Sequence, residues 1–199
     1  MALVRAAVVV PVKAFGAAKL RLAGEVSPAG RAALARQMAD GVLRAAGTLP
    51  VTVVCDDEAV ATWAEAAGAT VAWTPGLGLD GAVAAGVDAV ALGDLDVERI
   101  VVAHADLPLA TDLGPVVGTT GVLLVPDRRA DGTNVISIPA RCGFVFAYGP
   151  GSFARHQAVA VRLGLPVEVR NDLALGWDVD VPDDLRLPGG ADLAAGHRA

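Results

Sequence analysis

Short valine-rich runs alternate with helix-patterned segments along most of this chain, and that rhythm constrains the fold more than any other feature. Val4 to Val10 is the first such run and reads as a strand buried on both faces. Pro11 ends it, and a loop containing Gly16 follows. Ser27-Pro28 then supplies an N-cap with proline at the first helical position. Leu34, Met38, Val42 and Ala46 recur at helical spacing as far as Gly47, a natural helix end. Val51 to Val54 predicts a second strand, Glu58 to Ala67 a helix closed by Gly68, and Thr70 to Trp73 a third strand. A loop holding Pro75, Gly76 and Gly78 leads into a helix from Gly81 to Leu92. Arg99 to Ala103 is a strand, Asp112 to Val117 a short helix, and Val122 to Val125 another strand. Such alternation specifies a mostly parallel sheet with helices on both faces, an α/β three-layer sandwich. After Asp127 the rhythm breaks into a loop, a short strand at Val135 to Ile138 and an apolar stretch, Phe144 to Phe146. A helix over Ser152 to Leu163 and a strand at Val167 to Val169 complete the regular structure. No internal repeat or linker divides the chain. Residues 1–186 are therefore expected to form one domain, with 187–199, which contains Gly189-Gly190, as a loose tail.

Composition narrows the function classes. A chain of 199 residues, 54 % of them hydrophobic, can bury a core without disulfides. Its formal charge of -6 offers no electrostatic footprint for nucleic acid or an anionic membrane. Cys55 and Cys142 form no metal-type pair and read as small apolar residues in a reducing compartment. The apolar start, Ala6 to Val12, is too short to span a bilayer and carries no cleavage pattern, so a cytoplasmic location is expected. Against fourteen arginines there are two lysines, Lys13 and Lys19. Both fall in one loop, the distribution that a site needing compact ammonium groups would produce.

Ligands of open parallel sheets bind outside the carboxyl ends of the strands, and two polar clusters fall there. Pro11 to Arg21 follows the first strand and carries Lys13, Lys19, Arg21 and Gly16, enough cation and backbone N–H to wrap a triphosphate. It matches neither a Walker loop nor the dinucleotide glycine fingerprint, and a solvated basic loop is the bland alternative. The second cluster, His104-Ala105-Asp106-Leu107-Pro108, ends the strand Arg99 to Ala103. Its carboxylate either caps the next turn or holds magnesium, which takes one or two carboxylates plus phosphate oxygens. His104 reads as packed or exposed rather than catalytic. Asp178 and Asp180 lie two apart and would share a face in an extended segment, as a metal pair requires. The alternative is that one caps the helix starting at Pro182. Asp127 to Asn134 reads as a turn rich in N–H and hydroxyl donors. Ser152, after Tyr148-Gly149-Pro150-Gly151, stands at a helix N-terminus suited to an anion, and His156 one turn later reads as a surface or supporting residue.

Taken in order, these segments resemble the guanylyltransferases of coenzyme F-420 biosynthesis. The resemblance rests on Val10-Pro11-Val12-Lys13 with Ala18-Lys19 and Arg21-Leu22, and on Ala105-Asp106-Leu107-Pro108. It continues in Pro126-Asp127-Arg128 with Gly132-Thr133-Asn134, in Gly149 to Phe153 with His156, and in Asp178-Val179-Asp180 with Pro182 and Asp184-Leu185. It spans nearly the whole chain except the last dozen residues. It implies a nucleotide-diphospho-sugar transferase-like fold, Mg²⁺ as cofactor, and transfer of GMP from GTP to phosphoenolpyruvate or 2-phospho-L-lactate. It implies Asp106 and Asp180 for metal; Asp178, paired with Asp180 by spacing, is carried with them, and Lys13, Lys19 and Arg21 of the loop are carried as catalytic and GTP-binding cations. Thr133, Gly149 and Ser152 would hold the phosphorylated acid. Three positions depart from the family pattern: Leu20 replaces a usual serine or threonine, Asp80 a common asparagine, and Val181 a usual threonine. Asp80 can still accept two N–H bonds from guanine and is carried as a GTP-binding candidate.

The implied chemistry is in-line displacement at the α-phosphorus, with the acceptor phosphate already ionised and no general base required. Two alternatives stay open at this point. One is a nucleotidyltransferase with a molybdopterin or sugar-phosphate acceptor, and the other is a nucleotide-binding regulator without turnover. Oligomeric state is likewise open, a homodimer being one option.

Overall fold

The computed structural model describes residues 5–94 and 96–197. Val4, expected to open the first strand, and Arg198 and Ala199, expected in the tail, lie outside the described residues. Seven strands among the described residues form one sheet: β1 (Ala6–Pro11), β2 (Val51–Cys55), β3 (Thr70–Trp73), β4 (Arg99–Ala103), β5 (Val122–Pro126), β6 (Thr133–Pro139) and β7 (Val167–Val169). Their order across the sheet is β3-β2-β1-β4-β6-β5-β7. β1 pairs in parallel with both β2 and β4, β2 with β3, and β5 with β7. β6 runs antiparallel to β4 and β5 and separates them.

Among the described residues four α-helices cover the two faces: α1 (Pro28–Ala45), α2 (Glu58–Ala66), α3 (Gly78–Gly93) and α4 (Ser152–Arg162). Side chains alternate across a strand, so each strand feeds two cores. Val8, Val10, Val53, Val101 and Val125 pack with Val42 of α1 and Val60 and Trp63 of α2. Val9, Val54, Val102 and Leu124 pack on the other face with Val83 and Val87 of α3 and Val159 and Ala160 of α4. This is the three-layer arrangement the alternation predicts. Fully buried residues such as Ile100 and Leu124 each contribute about 1.5–3 kcal/mol of transfer free energy.

The caps follow the sequence closely. The Ser27 hydroxyl accepts from the Gly30 N–H at 3.1 Å, and Gly47 follows α1 at φ 62°, where glycine carries no Cβ penalty. The helix expected over Asp112 to Val117 is one 3-10 turn, Gly114–Val116. The strand expected at Val135 to Ile138 begins earlier, so Thr133 and Asn134, read as turn residues, open β6. Residues 187–197 do not hang loose. Leu193 N–H donates to the Leu185 carbonyl, Ser27 N–H to the His197 carbonyl, and Ala194 is buried with Leu22, Val26, Leu34, Met38, Val179 and Leu185. That small third core clamps the loop after β1 to the segment carrying Asp178 and Asp180.

Candidate active site

β1 and β4 are neighbouring parallel strands, so their carboxyl ends deliver the lysine loop and Asp106 to the same edge of the sheet. Lys19 takes a left-handed backbone, φ 56° and ψ 37°, which costs an L-residue with a Cβ roughly 1–2 kcal/mol. The conformation carries its ammonium inward. Nζ donates to Asp106 Oδ2 at 2.5 Å and to Asp180 Oδ1 at 3.4 Å. Arg21 stands 3.9 Å from Asp180 Oδ2 and is largely exposed. Lys13 is exposed and lines the same cleft.

Asp178 and Asp180 both line this cleft, and neither caps the turn at Pro182–Leu185. Asp184 does that work. Its buried carboxylate accepts the N–H groups of Asp180 at 2.7 Å and Val181 at 2.8 Å, together with the guanidinium groups of Arg128 and Arg129. Burial would raise the Asp184 pKa, but the two N–H donors and then the two arginines hold it below the ordinary value. Arg128 also stacks 4.4 Å over the Trp177 ring. Asp184, Arg128 and Arg129 thus fix the backbone on which Asp180 stands. The sequence placed Asp184 three residues into a turn begun by proline, which is a capping-box position.

A second stretch of the lining comes from β6, which pairs with β4, and from the segment before α4. Thr133 and Ser152 are each 2 % exposed and line the cleft with Gly149. The Arg155 guanidinium donates to the carbonyls of Ala147, Tyr148, Gly149 and Pro150. The Tyr148 N–H donates to Asp80 Oδ1 at 2.7 Å, whereas the Gly149 N–H has no acceptor among the described residues. Asp80 is the one candidate that the structure does not bring to the cleft lining. It fastens the first turn of α3 to the Tyr148 segment by accepting that N–H. His156, read as a surface or supporting residue, is fully buried and bonded to Thr133 Oγ1 and the Ala147 N–H. A signal was available, since His156 shares a helical stripe with Ser152, Val159 and Ala160.

Buried polar atoms are ordinarily paired. Five side-chain atoms among the described residues are buried without a partner, and four of them belong to this cleft: Asp106 Oδ1, Asp178 Oδ1, His104 Nε2 and Tyr148 Oη. The electrostatics point the same way. Burial alone would raise Asp106, yet Lys19 and then His104 hold it below its ordinary pKa. Burial would lower Lys19, yet Asp106 and Asp180 raise it. Asp178 has no such relief: burial, then Asp106 and Asp180, push it up to about 6. An acidic cluster with one largely buried cation, Lys19, and two unpaired carboxylate oxygens has room, chemically, for a divalent cation. The described side chains do not group three carboxylate, thiol or imidazole ligands around one point, Lys19 Nζ standing between Asp106 and Asp180. The cleft encloses about 630 Å³, within the range for a nucleotide-sized ligand. No helix among the described residues is long and apolar enough to cross a membrane.

The family described as "Guanylyl transferase CofC like" matches residues 6–187. A phosphoenolpyruvate guanylyltransferase of Sphaerobacter thermophilus is 34 % identical over 195 residues, covering 94 % of each chain. One of Rubrobacter xylanophilus is 34 % identical, covering 89 % of this chain and 90 % of its own. Among solved structures, a Desulfovibrio desulfuricans G20 protein provisionally assigned as a nucleotide-diphospho-sugar transferase superposes with a TM-score of 0.68. It is 18 % identical and covers 92 % of this chain and 86 % of its own. Glucosyl-3-phosphoglycerate synthase of Mycobacterium tuberculosis, solved with Mn²⁺ and uridine diphosphate, gives 0.53 at 15 % identity over 83 % of this chain and 69 % of its own. These two likenesses show the fold, a nucleotide-diphospho-sugar transferase-like sandwich. Matched from β1 to the end of the clamped Asp178–Asp184 segment, the chain belongs to the CofC-like guanylyl transferase family.

Proposed function

We propose that the protein transfers GMP from GTP to the phosphate of phosphoenolpyruvate, releasing pyrophosphate, as a step of coenzyme F-420 biosynthesis in the cytoplasm. The observation that carries this reading is one cleft whose lining holds two unlike sets of groups. One set is Lys19 against Asp106 and Asp180, and the other is Thr133, Gly149 and Ser152. The first set suits a triphosphate and the second a small phosphorylated acid. Both relatives cited above bear the name phosphoenolpyruvate guanylyltransferase.

In the reaction an oxygen of the acceptor phosphate attacks the α-phosphorus of GTP. A new P–O bond forms as the bond from the α-phosphorus to the bridging oxygen breaks, and pyrophosphate leaves with that electron pair. The acceptor oxygen is already ionised, so no side chain has to remove a proton. Lys13, Lys19 and Arg21 offset the charge that gathers on the departing phosphates, and a preorganised ammonium does so without reorganisation. Thr133, Gly149 and Ser152 hold the acid so that its phosphate is in line with the leaving group, the positioning that dominates phosphoryl-type transfer. Asp106, Asp178 and Asp180 would hold Mg²⁺, with the unpaired Asp106 Oδ1 and Asp178 Oδ1 as first donors. When bound, the ion supplies Lewis-acid stabilisation of the phosphate oxygens. We assign Asp80 to tethering the Tyr148 segment rather than to guanine.

The test is a pyrophosphate-release screen of GTP against phosphoenolpyruvate, 2-phospho-L-lactate and 3-phosphoglycerate. Release with phosphoenolpyruvate is the expected result. Release with phospholactate alone would keep the guanylyltransferase and replace the acceptor. Silence with all three would sink the reading.

A further inference from the structure

His156 cannot reach a ligand, yet it touches both parts of the lining assigned to the acceptor. Its ring is fully buried between Tyr148, with centroids 4.9 Å apart, and Phe144, 5.8 Å away. The Ala147 N–H donates to Nε2 at 3.0 Å. A backbone N–H has no lone pair to offer, so Nε2 must be the unprotonated nitrogen. In a neutral imidazole the hydrogen then resides on Nδ1. Nδ1 lies 3.0 Å from Thr133 Oγ1, and the bond runs from Nδ1–H to the hydroxyl oxygen.

A threonine hydroxyl has one hydrogen and two lone pairs. With a lone pair taken by Nδ1–H, the hydroxyl hydrogen is turned away from His156. Among the described residues no other group is bonded to Oγ1, and Thr133 lines the cleft. Resting on the guanylyltransferase reading above, we propose that His156 is a positioning residue that fixes Thr133 as a one-way hydrogen-bond donor to the acceptor acid. Through the Ala147 N–H it also pins the segment leading to Gly149. Protonation would set an Nε2–H against the Ala147 N–H, so the arrangement requires a neutral ring. Burial supplies this, lowering the His156 pKa to about 4.

Two measurements test the proposal. In the wild type, nitrogen-15 NMR of labelled histidine at neutral pH should find His156 protonated on Nδ1 and bare on Nε2. The opposite tautomer overturns the proposal without any variant. The second is a double-mutant cycle with His156→Gln and Thr133→Val. His156→Gln, whose amide oxygen reaches the Ala147 N–H from the Nε2 position but which has no donor at Nδ1, should lower kcat/KM for phosphoenolpyruvate on the order of tenfold and leave the KM for GTP within about twofold. In the Thr133→Val background the same change should cost nothing further. An equal loss in both backgrounds, or an equal rise in both KM values, would show mere structural support and overturn it. A wild type inactive with all three acids sinks the parent reading and this proposal together. An active wild type with a failed cycle sinks this proposal alone.

Discussion

Replacing Lys19 with glycine or with alanine separates what its backbone costs from what its ammonium does. Both substitutions remove the 2.5 Å contact to Asp106. The two side chains are 11 % and 22 % exposed, so little solvent screening discounts the pair. Loss of one charge-assisted hydrogen bond costs about 1.5–3 kcal/mol. The substitutions differ at φ 56°, where glycine is free of Cβ strain and alanine is not, a gap of about 1 kcal/mol. Lys19→Ala should therefore unfold about 1.5–3 kcal/mol more easily than the wild type, and Lys19→Gly about 1 kcal/mol less easily than Lys19→Ala. That order reverses the usual preference inside a helix. Both variants should lose kcat/KM for GTP about 10- to 150-fold, because neither carries an ammonium to the phosphates. Urea unfolding and initial rates of pyrophosphate release read the two quantities. An alanine variant as stable as the glycine one would refute the strain assignment. A glycine variant within twofold of wild-type kcat/KM would refute the role of the ammonium.

His156 sets a pH dependence whose sign follows from its burial. The folded ring resists the proton that the unfolded chain takes, its pKa falling from 6.5 to about 4. Stability is then lost as pH drops through that window. The difference is worth about 3 kcal/mol at most, and His156→Asn should show a correspondingly shallower acid loss in urea titrations; parallel curves would contradict this. Gly86 lies where α3 meets the sheet, and an added Cβ would stand 2.3 Å from Val54 Cγ1 and 3.1 Å from Val9 Cγ1. Gly86→Ala should therefore destabilise by about 1–2 kcal/mol, overpacking outweighing the gain in helix propensity, and a raised melting temperature would refute the packing. Mg²⁺ at about a hundred times its Kd should stabilise the wild type by about 2.7 kcal/mol. Asp106→Asn should abolish most of that shift, and an undiminished shift would remove Asp106 from the ion site.

Much of this was legible from residues alone. Arg99–Ala103, Thr70–Trp73 and Val167–Val169 have the bounds that their apolar runs predict. Two-face burial leaves a valine-rich signature in Arg99–Ala103, whereas Thr70–Trp73 and Val167–Val169 are partly exposed edge strands preceded by Gly68 and Pro166. The strand-end rule gathered Lys13, Lys19, Arg21 and Asp106 from the residues alone, two-residue spacing added Asp178 and Asp180, and all six line one cleft. What escaped depends on distant pairing. Nothing local says that β6 inserts antiparallel between β4 and β5, and Thr133 reads as a turn residue until that pairing draws it into a strand. Asp184, rather than Asp178 or Asp180, takes the capping role because two arginines from the β5–β6 turn reach it. Asp80 falls outside the cleft lining and accepts the Tyr148 N–H at 2.7 Å, a partner 68 residues away. Such partners are set by the fold, not by spacing along the chain.

The central claim is the direction of transfer, and isotope position tests it most directly. The protein should be incubated with phosphoenolpyruvate, Mg²⁺ and GTP labelled at either the α- or the γ-phosphate, with the products resolved by chromatography and mass. Label from the α-phosphate should appear in a guanosine diphosphate ester of the acid, and label from the γ-phosphate only in pyrophosphate, one for one. Label from the γ-phosphate on the acid, or pyrophosphate without an α-labelled adduct, would contradict the account.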